Sequence, residues 1–465
     1  MTRIAILGAG ISGLATAYHI KQLSPHAEIK IFEKNNRAGG IIESMMFQDN
    51  LFELGARGIR LLPKSKNILN LVKNLGLEDQ LVYGNKKIKQ RYIYHAGKLR
   101  KVPHKILAAL FSPVTRHLVK CYFKKRDEQN TPQEESVHQF VSRHFNTKTA
   151  DIIADALVSG LCAGDAKKVS IHALFPQLIQ FQKQNPHLLK SLFKQRKNGL
   201  GLGQSGIVSF KQGLSCLTST LAKTLHNELL LSSKIVRINQ EKRGYGIYLA
   251  DGSFYQADIV VSCLPANILN ELTPQFPKEF QSGLAEFEYA PVAVVNLGFK
   301  KKSDQFNAFG YLVPHQEKQG ILGVYRNDQT FPQFCPSLGT SLTVLIGGTR
   351  YQDFDAKNEL FFCNEAVRHI QKHFKTKQVP DYQYVKVISK ALPQYLLGHE
   401  QRVFKIKRFS PPHFFVRGNF IGGLGVSDIV NQSIITAKKI DNILSNDFID
   451  SNVLNLFGTE TILSA

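Results

Sequence analysis

Three glycines, Gly8, Gly10 and Gly13, stand between the apolar run Ile4 to Leu7 and the residues Leu14, Ala17, Tyr18 and Ile20, which recur at helical spacing. A strand, a glycine loop and a helix in that order can receive a dinucleotide. The first glycine permits the tight turn, the second lets the backbone approach a pyrophosphate, and the third lets the helix pack closely on the strand. The N–H groups of the first helical turn then face the anion. A second strand, Glu28 to Phe32, ends at Glu33, twenty residues beyond Gly13, where a carboxylate can accept hydrogen bonds from an adenosine ribose. A glycine triplet alone is a common turn. With strand, helix and acid in register, Gly8, Ala9, Gly10, Ile11, Ser12, Gly13 and Glu33 read as one binding unit.

FAD and NAD share this fingerprint, and the residues that follow distinguish them. The stretch EKNNRAGG, with Lys34, Arg37, Gly39, Gly40 and then Ile41, resembles the large glutathione-reductase-like flavoprotein class, which implies FAD. A second glycine turn, GGLGVSD, holds Leu424, Gly425 and Val426 and resembles the segment that returns over the flavin in that class. Its plainer reading is a strand-to-helix loop. In FELGARGIRL a guanidinium is set among glycines. Gly55, Ala56, Arg57 and Gly58 are expected to pass close to a flexible part of FAD, with Arg57 beside the flavin or its phosphates; a buried salt bridge is the alternative. No acid–base couple stands out, so no catalytic side chain is nominated and the flavin is expected to carry the chemistry. The histidines are scattered, and His104, His117 and His399 read as surface or structural. No metal site is expected.

These residues need elements to hold them, and 465 residues are more than one core organises, so at least two domains are expected. Apolar residues at 43% and charged residues at 20% describe a folding globular chain and exclude a disordered or collagenous one. A net charge of +23 favours an anionic partner: nucleic acid, an acidic small molecule or an anionic membrane face. The apolar runs fall short of the ~20 residues that cross a bilayer. MTRIAILGAG reads as a strand entering a glycine loop, not a secretory leader, so membrane contact is expected to be peripheral. The six cysteines are spaced singly and read as reduced, buried thiols.

Strands are expected at Ile235 to Ile238, Gly246 to Leu249 and Ile259 to Ser262. An antiparallel sheet is expected between Pro291 and Gly348, and FIGGLGVSDIVNQSIITAKKI reads as strand, glycine turn and helix. Residues 124–136 are polar enough for a surface loop. Residues 105–125 and 174–197 look helical and basic, with Phe, Leu and Tyr interleaved. The division expected is 1–95, 206–268 and 401–465 for cofactor binding, 96–205 for an inserted helical part, and 269–400 for a substrate-binding sheet.

FELGARGIRL, RYIYHAGKLRKVP, SGLCAGDAKKVSI, FKQGLSCL, FGYLVP, LPQYLLGH and the GVSD turn occur in that order over nearly the whole chain. Together they resemble the oxygen-dependent, FAD-containing protoporphyrinogen oxidase family of the flavin monoamine oxidase-like superfamily. The resemblance implies an α/β fold: a Rossmann-like FAD-binding domain of the glutathione-reductase and GDI type, an antiparallel-sheet substrate domain and an inserted helical membrane-binding domain. It implies three two-electron oxidations of a porphyrinogen in haem biosynthesis, with hydride passing to the flavin and oxygen re-oxidising it. Arg91 matches the arginine that binds a propionate, a role suited to a planar cation that stays charged in a dry site. Phe309, Leu312 and Leu345 fall where apolar side chains clamp the macrocycle, and Gly160 where a backbone carbonyl approaches the pyrrole nitrogens. Ile235 joins the cofactor contacts. Taken as residues alone, Phe309, Leu312 and Leu345 could equally be sheet core.

The chain departs from the family pattern at Gly422 and Gly423, at Ser433 in the final helix and at Ser159 beside Gly160. Basic amphipathic segments at 104–126 and 187–197 suit a helix lying on anionic lipid, against the plainer reading of a solvated face. A cytoplasmic protein on the inner face of a membrane is therefore expected. A homodimer and contact with a neighbouring haem-pathway enzyme are further expectations, and nucleic acid is not expected. Coproporphyrinogen is the rival substrate, since it differs by two carboxylates. An amine oxidase would call for an aromatic cage, and a polyene desaturase would not need Arg91. A non-catalytic GDI-like binding protein is the alternative from another class, and an absorbance spectrum separates it: a colourless preparation that FAD does not reconstitute would remove the oxidase reading.

Overall fold

The structure is a computed structural model that describes residues 1–62, 65–88, 90–102, 133–184, 206–303 and 307–456. Strand β1 (Arg3–Leu7) is buried along Ile4 to Leu7, as a strand covered on both faces must be. It runs parallel to β2 (Glu28–Phe32) on one side and to Ile259–Ser262 on the other. Leu229–Leu230 adds to the far edge of β2, and Phe414–Val416 to the far edge of Ile259–Ser262. This five-stranded parallel sheet draws its strands from three separated stretches of chain.

Side-chain alternation divides the two faces. Ile4, Ile6, Ile31 and Val261 meet α1 (Ile11–Leu23), the helix Ser215–Thr224 and the long C-terminal helix Val426–Leu456. Ala5, Leu7, Phe32 and Val260 meet the other layer, which includes a small antiparallel sheet of Ile235–Gln240, Tyr245–Leu249 and Phe254–Ala257. Doubly covered parallel strands of this kind leave a crevice at their carboxyl ends, where Gly8 and Cys263 follow β1 and its neighbour.

The second sheet has seven strands, in the order Tyr382–Pro393, Tyr289–Phe299, Thr340–Gly347, Ile321–Arg326, Gly310–Leu312, Tyr92–His95 and Lys98–Lys101. Ala293, Val295 and Leu297 pack one face against the helix Glu359–Phe374, and Val292, Val294 and Leu345 belong to the opposite face. The sheet is mixed rather than wholly antiparallel: Tyr311 pairs with Tyr92 and Leu312 with Ile93 in parallel. The hairpin over residues 92–101 is an edge of this sheet and not part of a helical insertion.

Residues 133–184 are mainly helical around Phe140, Ala154, Val158, Cys162 and Val169. One helical run carries α-turns at Thr147–Thr149, a π-turn at Ala150–Ala154 and α-turns at Asp155–Cys162. The expected polar loop ends differently, because Glu135 and Ser136 are buried. Ser136 accepts from the Gln139 N–H, and the Gln139 side chain accepts from the Ser136 N–H, a reciprocal cap written in the sequence as S-x-x-Q. The basic segments 104–126 and 187–197 lie outside the described residues. Among the described residues no helix is long and apolar enough to cross a membrane. The expected strand at Phe420 is a turn instead, since Gly418 adopts φ +141° and the Ile421 N–H returns to its carbonyl.

Burial favours the neutral form of several histidines among the described residues, with pKa values pushed down to about 4 for His19, His369 and His399 and to about 3 for His373. The unfolded chain takes up these protons near pH ~6.5 and the folded one does not, so their contribution to stability is complete above that pH and is lost as pH falls toward 4. Glu53 acts oppositely: burial raises it to about 7, so its neutral form favours folding most below ~4.5 and this contribution is lost as pH rises to 7. The histidines are expected to dominate. Urea midpoints measured between pH 7 and 4 should fall with pH, and His373→Phe should flatten the slope.

Candidate functional site

The glycine loop between β1 and α1 is shaped by contacts that no side chain fits. Gly8 adopts φ +97°, and a Cβ on Gly13 would lie 1.9 Å from the Gly8 carbonyl oxygen. Gly10 is the N-cap position of α1, and no side chain caps this end or places an acid in its first turn. Glu33 is buried beside the loop. One carboxylate oxygen accepts from the Ala9 N–H at 2.9 Å and the other from the Asn35 N–H and side-chain amide at 3.0 and 2.8 Å. Glu33 therefore fixes the loop itself, and a carboxylate's four acceptor sites leave room for a ligand hydroxyl. Lys34 is exposed beside it. The Ser233 N–H donates to the Glu33 carbonyl, which brings the start of the Ile235–Gln240 strand to the same place.

A second loop closes on the first. The Gly39 N–H donates to the Ala9 carbonyl at 2.8 Å, and a Cβ on Gly40 would lie 3.2 Å from the Gly10 Cα. Arg37 holds this loop by donating to the Gly40 carbonyl at 2.7 Å and to Glu43 at 2.8 Å. The Ile41 side chain is exposed, and its carbonyl faces Gly55, where a Cβ would be 1.9 Å away.

Arg57 follows Gly55 by two residues. Its Cζ stands 3.3 Å from the centroid of the Tyr325 ring, and Tyr325 meets Phe309 edge-on at 5.5 Å. The Arg57 Nη1 is buried without a hydrogen-bond partner among the described residues, and burial pushes the guanidinium pKa down against the pull of Tyr325 and Glu53. Glu53 is satisfied by the Leu214 N–H at 2.7 Å and the Ser44 hydroxyl at 2.6 Å. Arg57 is thus not one half of a close ion pair with Glu53. The cation–ring contact takes its place.

On the sheet face above, Leu312, Gly323, Leu345 and Val294 stand opposite one another across four strands. Gly323 has no side chain between the two leucines, and Leu312 fills the space above it: a Cβ there would lie 3.1 Å from the Leu312 Cδ2. Leu312 leans toward the helix Asp155–Cys162: a Cβ on Gly160 would be 2.4 Å from its Cδ2. Asp155 ties that helix to the sheet, accepting from the His315 N–H at 2.7 Å and from Arg350 at 2.6 Å. Arg91 is exposed at the head of the Tyr92–His95 strand, and the neighbouring Gln90 carbonyl accepts from the Phe309 N–H at 3.2 Å. Phe309, Leu312, Leu345 and Gly160 are brought to one face, with Arg91 at its rim.

The C-terminal turn closes the arrangement. Gly423 adopts φ +118° and its N–H donates to the Tyr395 hydroxyl at 2.8 Å, while Leu424 packs toward the helical part. The Gly425 N–H approaches Asp428 at 3.3 Å, and Val426 opens the last helix. Ser433 on that helix donates to the Ser12 carbonyl at 3.3 Å, so this departure from the family pattern is a contact between the helix and α1.

Sequence reasoning missed Tyr325, Glu53 and Tyr395. Glu53 and Tyr395 were in view, within FELGARGIRL and LPQYLLGH, whereas Tyr325 depends on strand register. The uncapped α1 end, the glycine-only contacts and the partnerless Arg57 Nη1 together fit an anionic dinucleotide with a flat head group.

Residues 11–402 match the flavin containing amine oxidoreductase family. A protoporphyrinogen oxidase of Dictyostelium discoideum is 24% identical over 95% of this chain and 99% of its own. The protoporphyrinogen oxidase of Homo sapiens is 28% identical over 94% of this chain and 98% of its own. A crystal structure from Exiguobacterium sp. 255-15, assigned provisionally as a protoporphyrinogen oxidase, superimposes with a TM-score of 0.85 at 20% identity, covering 95% of this chain and 98% of that one. At that identity the likeness speaks for the fold.

Gly13→Ala would drive a methyl group into the Gly8 carbonyl. It is expected to lower stability by about 1–3 kcal/mol, as overpacking does, and to weaken FAD retention. Thermal unfolding and the flavin absorbance of the purified protein measure both effects.

Proposed function

The chain belongs to the flavin containing amine oxidoreductase family, and from that premise we propose that it oxidises protoporphyrinogen IX to protoporphyrin IX in haem biosynthesis, with oxygen as the final acceptor. FAD is the cofactor. When bound it accepts hydride in each of three two-electron steps; the chain's residues bind, orient and enclose.

The observation that carries this reading is the juxtaposition of the apolar row Leu312, Gly323 and Leu345 with the partnerless Arg57 Nη1, through Tyr325 and Phe309. A broad, flat, apolar macrocycle suits the apolar row that Leu312, Leu345 and Val294 form. Arg91 at the rim gives a propionate a bidentate cation, and the Gly160 carbonyl is offered to the pyrrole N–H groups. The Gly8–Gly13 loop, Glu33, Arg37, Gly39, Gly40, the Gly55–Gly58 stretch, Ile235 and the turn at Leu424–Val426 hold the cofactor. Excluding water from this face strengthens each of the few polar contacts in it.

The division of labour follows the same reading: 1–95, 206–268 and 401–465 serve the cofactor and 269–400 the substrate, with the hairpin at 92–101 lent to the substrate sheet. Segments 104–126 and 187–197 attach the protein peripherally to anionic lipid on the cytoplasmic face of a membrane. Support for this comes from their sequence and from the net charge of +23. Self-association as a dimer and contact with a neighbouring haem-pathway enzyme belong to the same proposal.

Anaerobic flavin reduction tests the substrate. Protoporphyrinogen should bleach the flavin faster than coproporphyrinogen, and admission of oxygen should restore the colour and yield peroxide. The reverse preference would move the assignment to coproporphyrinogen. Arg91→Ala is expected to raise KM about 10- to 100-fold, the worth of one charged hydrogen-bonded contact, with the flavin spectrum intact. Unchanged steady-state constants would remove the propionate role.

A further inference from the structure

The stretch LPQYLLGH runs past the end of the strand Tyr382–Pro393, and its polar side chains Gln394 and Tyr395 are almost wholly buried, at 1% and 3% exposure. They point to different parts of the site. The Gln394 side-chain amide donates to the Cys162 carbonyl at 2.8 Å, in the last turn of the helix that carries Gly160. The Tyr395 hydroxyl accepts from the Gly423 N–H at 2.8 Å and donates to the Asn419 carbonyl at 2.5 Å, on the turn that precedes Leu424 and Gly425.

Both anchors are themselves held. The Gln394 N–H donates to the Glu288 carbonyl, and the Tyr395 carbonyl accepts from the Ser170 N–H at 2.8 Å. The Tyr395 ring stacks on His399 with centroids 4.0 Å apart. The close approach of the backbone at Gly164 makes room for Gln394: a Cβ there would lie 2.4 Å from the Gln394 Oε1. Ala163 ends the Gly160 helix in the left-handed region at φ +55°, and its carbonyl accepts from the Thr349 N–H at 2.9 Å.

We propose that Gln394 and Tyr395 are a pair of positioning residues that set the spacing between the Gly160 helix and the Gly423 turn, and so between the substrate and cofactor sides of the site. The two anchors are consecutive residues, so their Cα atoms stand a fixed ~3.8 Å apart and cannot drift independently. Hydride transfer depends on such spacing, because a misplacement of ~1 Å costs about 100-fold in rate. The proposal rests on the assignment of these two sides made under Proposed function.

The test compares Tyr395→Phe with Tyr245→Phe in the FAD-loaded full-length enzyme. Tyr245 is also buried, and its hydroxyl also donates to a backbone carbonyl, that of Pro412. Both variants lose one hydroxyl. Tyr395→Phe is expected to change the visible circular dichroism of the bound flavin and to slow its anaerobic reduction by protoporphyrinogen about tenfold or more, with little change in KM. Tyr245→Phe is expected to shift the melting temperature alone. Indistinguishable flavin dichroism in the two variants would overturn the proposal. Should Tyr395→Phe fail to fold, Gln394→Met, which removes the bond to the Cys162 carbonyl, is judged by the same dichroism. A wild-type flavin that protoporphyrinogen does not reduce would instead overturn the substrate assignment, and the dichroism comparison would still decide the positioning role.

Discussion

Close backbone contact, at points where a side chain would clash or strain the chain, is the constraint on which the rest depends. Gly13 rests on the Gly8 carbonyl, Gly40 on Gly10, and Gly55 on the Ile41 carbonyl. These three contacts stack the first glycine loop, the loop after β2 and the start of FELGARGIRL into one layer. Gly8 to Gly13, Gly39, Gly40 and Gly55 all belong to that layer, which offers mostly main-chain N–H groups. Such groups cannot rotate away when the site is empty, so the binding surface is organised before a ligand arrives.

The electrostatics of the site follow from how little water reaches it. Glu53 and Arg57 have opposite charges and lie four residues apart, yet neither relies on the other for its nearest contact. Glu53 is served by a hydroxyl and an N–H, and Arg57 by the face of Tyr325. Burial pushes both toward neutrality, with Glu53 raised to about 7 and Arg57 lowered. A guanidinium over an aromatic face keeps its charge with few hydrogen bonds, which leaves Nη1 uncommitted.

Local elements were legible because their signals are local. The βαβ unit, Glu33 and the sheet between Pro291 and Gly348 follow from periodicity and glycine spacing within short windows. The meeting of Gly160 with Leu312 was not legible: the family resemblance placed each beside a macrocycle, and no spacing along the chain brings those two together. Contacts set by register were not legible. The stacking of Arg57 on Tyr325 requires the order of strands in a sheet that Arg57 does not belong to. The parallel junction of Tyr311 with Tyr92 joins segments far apart in sequence, and a hairpin signal at 92–101 carries no information about which edge it will find. The turn at Phe420 was read as a strand because its apolar residues are buried by packing and not by pairing, a distinction that apolar runs do not record.

The parallel sheet borrows its last strand, Phe414–Val416, from near the end of the chain, and the turn at Gly423 and the helix lying on α1 come later still. A chain that stops short of Phe414 would contain every residue of the glycine loop and all seven strands of the second sheet, and would still lack one edge of the parallel sheet. The crevice is therefore complete only once Phe414–Val416 has paired with Ile259–Ser262. Until Phe414–Val416 is made, the apolar strand edge at Ile259–Ser262 stays uncovered, an exposed edge on a partly folded chain.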